Sequence, residues 1–97
     1  MSHNNQFDPI ENLIREKCVR IDALTFHPEL DMMLVILNTR AILHQNLFSY
    51  PRLKVADKAQ LLQYELIGGG TGIHWPILDE DLSLKGLLQN ELYKIVG

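Results

Sequence analysis

Four of the chain's six glycines, a histidine, the single tryptophan and three carboxylates fall within LIGGGTGIHWPILDED, residues 66–81. His74 with Asp79, Glu80 and Asp81 offers donors that can hold a divalent cation or form an acid–base pair. Gly68, Gly69, Gly70 and Gly72 offer backbone N–H groups that could cradle an anion. A phosphate loop, however, needs a strand before it and a helix N-terminus after it. Here the pattern places a helix before and a strand after, and the Lys-Ser or Lys-Thr of a nucleotide loop is missing. The plainer reading is architectural: glycines end a helix at Gly68 and turn the chain into a strand. On that strand His74 points away from Ile73 and Trp75. Trp75 reads as core, and would be the chain's best interaction anchor if exposed. The three carboxylates precede Ser83, a helix cap, where the helix dipole favours negative charge. Arg52 can pair with one of them.

Other reactive side chains are scattered. Cys18 is the only cysteine, so no internal disulfide exists, and it has no neighbour at metal-ligand spacing. It falls on an apolar stripe and reads as a packed thiol. His27 and His44 have no sequence partner, and no nucleophile elbow or CxxC occurs.

The elements that must position these residues follow from periodicity. Asp8-Pro9 with Glu11 forms a helix start, and Ile10, Leu13, Ile14 and Cys18 recur at helical spacing, predicting a helix over 9–17. VRIDALTF, MMLVIL and RAILHQ predict an antiparallel meander over 19–26, 32–37 and 40–45. The unbroken apolar run of the middle strand predicts cover on both its faces. Asn38-Thr39 sits at the second turn. Thr39 resists positive φ, which predicts a turn one residue longer than two. Tyr50-Pro51 predicts an irregular connection. Asp57 with Gln60 caps a second helix running to about Leu66, with Ala59, Leu62 and Leu66 on one face. GIHWP is the fourth strand, and Ser83 opens a final helix. The predicted class is α+β: a three-stranded meander plus a further strand, with two to three short helices packed on the sheet. Residues 1–7 read as a flexible N-terminus and 8–97 as a single domain.

Bulk properties narrow the function classes. Ninety-seven residues fit one domain. A net charge of −3 argues against a duplex-binding surface. Arg52, Lys54 and Lys58 are the one local basic cluster, and a solvated helix face explains them equally well. MSHNNQF lacks the basic and apolar regions of a signal peptide. Met32–Leu37, the longest aliphatic run, is too short to span a bilayer. The expectation is a cytoplasmic protein.

Tyr50-Pro51-Arg52-Leu53, Gly68/Gly70/Gly72, His74-Trp75-Pro76 and Asp79-Glu80-Asp81-Leu82-Ser83 occur in this order. In these segments the chain resembles the bacterial domain-of-unknown-function family 2442, over roughly 19–88. It departs at the hairpin, where the family usually turns on Asp-Gly and this chain has Asn38-Thr39. The resemblance implies a compact α+β domain and no established activity. It also implies relatives that stand alone, carry an added helix-turn-helix domain, or sit beside small partners in toxin–antitoxin-like pairs. This chain has no room for the added domain, so DNA binding is not carried across.

The reading that results is a non-catalytic protein-interaction or regulatory module, antitoxin-like, whose partner is a small basic protein. Its candidate surface is Tyr50, Arg52, His74, Trp75, Asp79 and Asp81, with no cofactor, metal or catalytic residue assigned. The alternatives are a metal-assisted or acid–base hydrolase using His74 with Asp79 and Asp81, and a nucleic-acid-binding accessory protein. A homodimer through sheet edges fits any of these.

Overall fold

Asp8 starts the first helix as its sequence requires. Its carboxylate accepts from the backbone N–H of Ile10 at 2.8 Å and of Glu11 at 3.4 Å, with Pro9 in the first turn. The protein, seen in a computed structural model, is described over residues 8–96; the segment predicted to be flexible lies outside them. Helix α1 runs Pro9–Lys17 and ends at Cys18, which adopts a left-handed conformation (φ 52°). Cys18 is exposed, not packed, because a C-capping position projects it beyond the apolar stripe. Of that stripe Ile14 alone is buried, and Leu13 is exposed.

Strands β1 (Ile21–His27), β2 (Met32–Leu37) and β3 (Ile42–Asn46) form the predicted meander, in that order. The β2–β3 turn carries its positive φ on Arg40 (φ 80°) and spares Thr39, so the loop has the extra residue. Asn38 also earns its place over aspartate. Its side-chain amide donates to the Cys18 carbonyl at 2.9 Å while its oxygen accepts from the Arg20 N–H at 2.9 Å. An aspartate lacks that donor. The middle strand is sealed on one face only, contrary to its apolar run. Met33, Val35 and Leu37 are buried, whereas Met32, Leu34 and Ile36 stay half-buried.

The second half departs from the prediction. Pro51 opens a four-residue helix, α2 (Pro51–Lys54), because proline suits a first helical position. The Asp57/Gln60 capping box forms, but its helix, α3 (Lys58–Leu61), lasts one turn. Glu65–Ile67 leave the helix to form strand β4, which pairs with β5 (Gly72–Trp75). The glycines are therefore a hairpin turn and not a helix stop. Gly68, Gly69 and Gly70 all take positive φ (59°, 66° and 102°). Likewise Glu80–Ser83 is strand β6, paired with β5, instead of an acidic helix cap. Ser83 does cap the last helix, α4 (Leu84–Val96), accepting from the Gly86 N–H at 3.0 Å.

The two three-stranded antiparallel sheets join at Gly70, whose carbonyl accepts from the Ile21 N–H at 2.8 Å. One buried cluster draws on both sheets, α1 and α4. Phe26, Tyr64 and Trp75 meet in it, edge-on or tilted, with ring centroids 5.8–6.4 Å apart. Among the described residues no helix is long and apolar enough to cross a membrane.

Candidate functional site

Antiparallel pairing of β5 with β6 sets His74 opposite Asp81. The His74 Nδ1 lies 2.5 Å from Asp81 Oδ1. Trp75, the next residue, points through the sheet and is fully buried. Its indole N–H donates to the Leu61 carbonyl at 3.0 Å. Trp75 therefore leaves the candidate surface: strand alternation that exposes His74 must bury its neighbour.

Past Trp75 the chain turns at Asp79, which holds φ 55°. Arg52, presented by α2, reaches this turn. Its guanidinium donates to the Asp79 carboxylate at 3.0 Å and to the Asp79 carbonyl. The expected pairing of Arg52 with one of the carboxylates thus forms, and it ties α2 to the second sheet. The Arg52–Asp79 ion pair and the His74–Asp81 hydrogen bond both face solvent, since the Asp79 and Asp81 side chains are 87% and 67% exposed. Pairs this wet contribute about 0–1 kcal/mol to stability.

Tyr50 sits inward of this rim. Its hydroxyl donates to Gln45 Oε1 at 2.6 Å and accepts from Asn90 at 3.1 Å. Burial pushes the Tyr50 phenol above its ordinary value, against the smaller lowering effect of the Asn90 hydrogen bond. Gln45 is 5% exposed and also donates to Glu91 at 2.9 Å and to the His44 carbonyl at 3.1 Å. Lys94 closes the group against Glu91 at 2.7 Å. A cleft of about 410 Å³ opens beside it. Sequence reasoning missed Gln45, Asn90, Glu91 and Lys94. The available signal was a glutamine at an inward-facing strand position between Leu43 and Leu47.

The geometry bears directly on the hydrolase alternative. Asp79 is held by Arg52 and Asp81 by His74, and among the described residues no three His, Cys, Asp or Glu side chains could hold one metal ion. The turn at Asp79 carries its carboxylate toward α2, so His74, Asp79 and Asp81 do not converge as that reading requires. Another charged group lies apart from this rim. Lys85 bridges Asp8 at 3.1 Å and Glu11 at 3.6 Å, tying α4 to α1. The Lys85 hydrogen bond, followed by that of the Ile10 N–H, holds the Asp8 carboxyl below its usual value. Asp8 raises Lys85 in turn.

No curated protein matches the chain. A crystal structure of a protein of unknown function from Rhodospirillum rubrum is similar at 29% identity and TM-score 0.65, over 74% of this chain and 87% of that one. A solution structure of an uncharacterized protein from Chromobacterium violaceum is similar at 25% identity and TM-score 0.67, over 92% and 84%. Neither description names an activity. The model of the family described as "Protein of unknown function (DUF2442)" matches residues 21–93, which hold both sheets and both the Arg52–Asp79 and His74–Asp81 contacts, and the chain belongs to that family.

Proposed function

We propose that the protein is a non-catalytic interaction module, regulatory in role, that presents Arg52, His74, Asp79 and Asp81 to a small basic protein in the manner of an antitoxin. Tyr50 and Trp75 support that rim from beneath. The observation that carries this reading is the disposition of the charges: two exposed pairs spread along a hairpin and a short helix, with no three His, Cys, Asp or Glu side chains placed to share a metal ion among the described residues. Exposed pairs are readily exchanged for partner charges, which favours fast, salt-sensitive association. Val55, Leu62 and Ile77, on the same connecting segments, are 77%, 55% and 59% exposed and supply apolar contact. The net charge of −3 suits a basic partner.

The test is affinity capture from source-cell extract with wild type and a His74→Ala/Asp79→Ala variant, followed by reconstitution with the purified captured protein. A small basic protein whose binding weakens at least about tenfold in the folded variant, and weakens with salt, supports the module. Equal binding by both forms refutes this surface.

A further inference from the structure

A hollow of about 440 Å³ opens where α1, the approach to β1, the glycine turn and the first turn of α4 meet. None of Arg52, His74, Asp79 and Asp81 lines it. Three cations do: Arg15 from α1, Arg20 just before β1, and Lys85 from α4. Lys85 is engaged by Asp8 at 3.1 Å and more loosely, at 3.6 Å, by Glu11, the carboxylate on this wall. The arginines have neutral partners. Arg15 donates from Nη2 to the Asn12 side-chain oxygen at 2.6 Å. Arg20 donates from Nη1 to the carbonyls of Val19 at 2.7 Å and Ile14 at 3.5 Å. Among the described residues neither forms an ion pair, in a chain of net charge −3. Each guanidinium has five N–H donors, so most of theirs have no protein partner described. Thr71 and Ser83 complete the wall. Ser83 Oγ accepts from the Gly86 N–H, which leaves its own hydrogen to donate. The Thr71 carbonyl accepts from the Leu84 N–H at 2.8 Å and so fixes α4 against the glycine turn.

We propose that this hollow binds the phosphate group of a small phosphomonoester. Two guanidinium groups without carboxylate partners, lining one concavity, present the forked donors that match phosphate oxygens. Ser83 adds a hydroxyl donor and Lys85 a third positive charge. A carboxylate would offer two oxygens to these donors, whereas a phosphomonoester offers three and carries close to two negative charges. A nucleic-acid backbone is disfavoured, because the acidic chain repels an extended polyanion while a small anion meets only the local wall. The volume falls within the roughly 300–1,000 Å³ of small-molecule sites and exceeds what one oxyanion fills. Ile14 gives the organic part an apolar wall. The glycines do not cradle the anion themselves. Gly70 lets the turn press against Arg20, since a Cβ there would lie 3.1 Å from the Arg20 Cβ.

The test is amide NMR of the isotope-labelled full chain at low salt, titrated with α-glycerophosphate, inorganic phosphate or glycerol to about 10 mM. Saturable shifts are expected at Arg20, Thr71, Ser83 and Lys85, with a dissociation constant of about 1 mM or tighter for α-glycerophosphate. Inorganic phosphate should bind at least about threefold more weakly, and glycerol not at all. Arg15→Gln and Arg20→Gln should each weaken binding at least about fivefold. Arg20 also holds two carbonyls, so circular dichroism checks that variant; the Arg15 guanidinium contacts only Asn12 of its own helix and keeps the test sound. Glu11→Gln should tighten binding about two- to fivefold, because it removes the opposing carboxylate and releases Lys85. Absence of saturable shifts at these four amides overturns the proposal, as does binding unmoved by Arg15→Gln in a folded chain. Equal affinity for the two phosphates overturns the ester. None of these results touches the partner-capture test, which rests on other residues.

Discussion

Replacing Trp75 with phenylalanine should cost far more than an aromatic exchange usually does, because the indole closes the joint between the two halves of the chain. Two losses combine. The indole N–H is the described hydrogen-bond donor to the Leu61 carbonyl, at 3.0 Å, in a site where Trp75 and Leu61 are both fully buried. A buried carbonyl left without a donor costs about 1–3 kcal/mol. The missing half of the indole leaves a gap beside Phe26 and Tyr64, whose rings contact it edge-on or tilted at 6.4 Å. That gap adds about 1–2 kcal/mol in lost contact and residual cavity. The expected total is about 3 kcal/mol, within roughly 2–5. With a urea m-value of about 1.5 kcal/mol/M for a chain this size, the midpoint falls by about 2 M. Far-UV circular dichroism is the readout, since Trp75 is the only tryptophan and its fluorescence goes with it. A midpoint within about 0.5 M of wild type, at unchanged m, would refute the reasoning. It would mean that the carbonyl finds another donor and that the joint does not depend on the indole.

Other substitutions separate the rim from its support. Tyr50→Phe strips Gln45 Oε1 of its 2.6 Å donor, leaving Asn90 at 3.4 Å, and should lower unfolding stability by about 1–2 kcal/mol in urea melts. Arg52→Ala breaks an exposed pair and should cost less than about 1 kcal/mol in the same assay, while weakening partner binding. Gly70→Ala should cost about 2–3 kcal/mol, because φ is 102° and a Cβ would lie 3.0 Å from the Ile21 carbonyl oxygen. Gly69→Ala, with open space around it at φ 66°, should cost about 1 kcal/mol. Asp8 titrates below its ordinary value in the folded chain, so its contribution is present above the unfolded pKa and is lost as pH falls through the folded one. Lys85, raised, contributes below its unfolded value of 10.5 and loses that contribution as pH rises through the folded one. Asp8→Asn should therefore flatten the acid limb of a stability-versus-pH profile.

Local signals carried the first half of the fold. Asp8, Pro9 and Glu11 specify a helix start within four residues, and the chain does what they say. The β-branched resistance of Thr39 foretold a turn one residue longer than two, and the positive φ falls on Arg40. The second half failed where strands are too short to show a period. LLQYEL has good helix formers, but Glu65–Ile67 gain partners only after the glycine turn brings Gly72–His74 back alongside them. A three-residue strand has no alternation to read. Asp79-Glu80-Asp81 misled for a related reason. The cap at Ser83 is real, and acidic residues before a cap are sound chemistry, but the same residues can pair with β5. Strand parity fixed His74 and Trp75 on opposite faces in advance. The partnership of Gln45 with Tyr50 and Asn90 depends on α4 crossing β3, which no window of sequence contains.

The placement of these groups separates what holds the fold from what is free to bind. Arg52–Asp79 and His74–Asp81 lie at a joint, where α2 meets the β5–β6 hairpin, yet each faces water and contributes about 0–1 kcal/mol. Beneath them the buried bonds run elsewhere, from Trp75 to Leu61 of α3 and from Tyr50 to Gln45 of β3. Rim substitutions are therefore expected to leave the chain folded, at a cost of about 0–1 kcal/mol each. That is the condition under which a surface can specify a partner through charge. It also predicts an ordering: rim substitutions lower affinity at constant stability, while substitutions at Tyr50 or Trp75 lower both. A rim variant that melted the second sheet would break this separation and return the Arg52–Asp79 and His74–Asp81 contacts to a purely structural role.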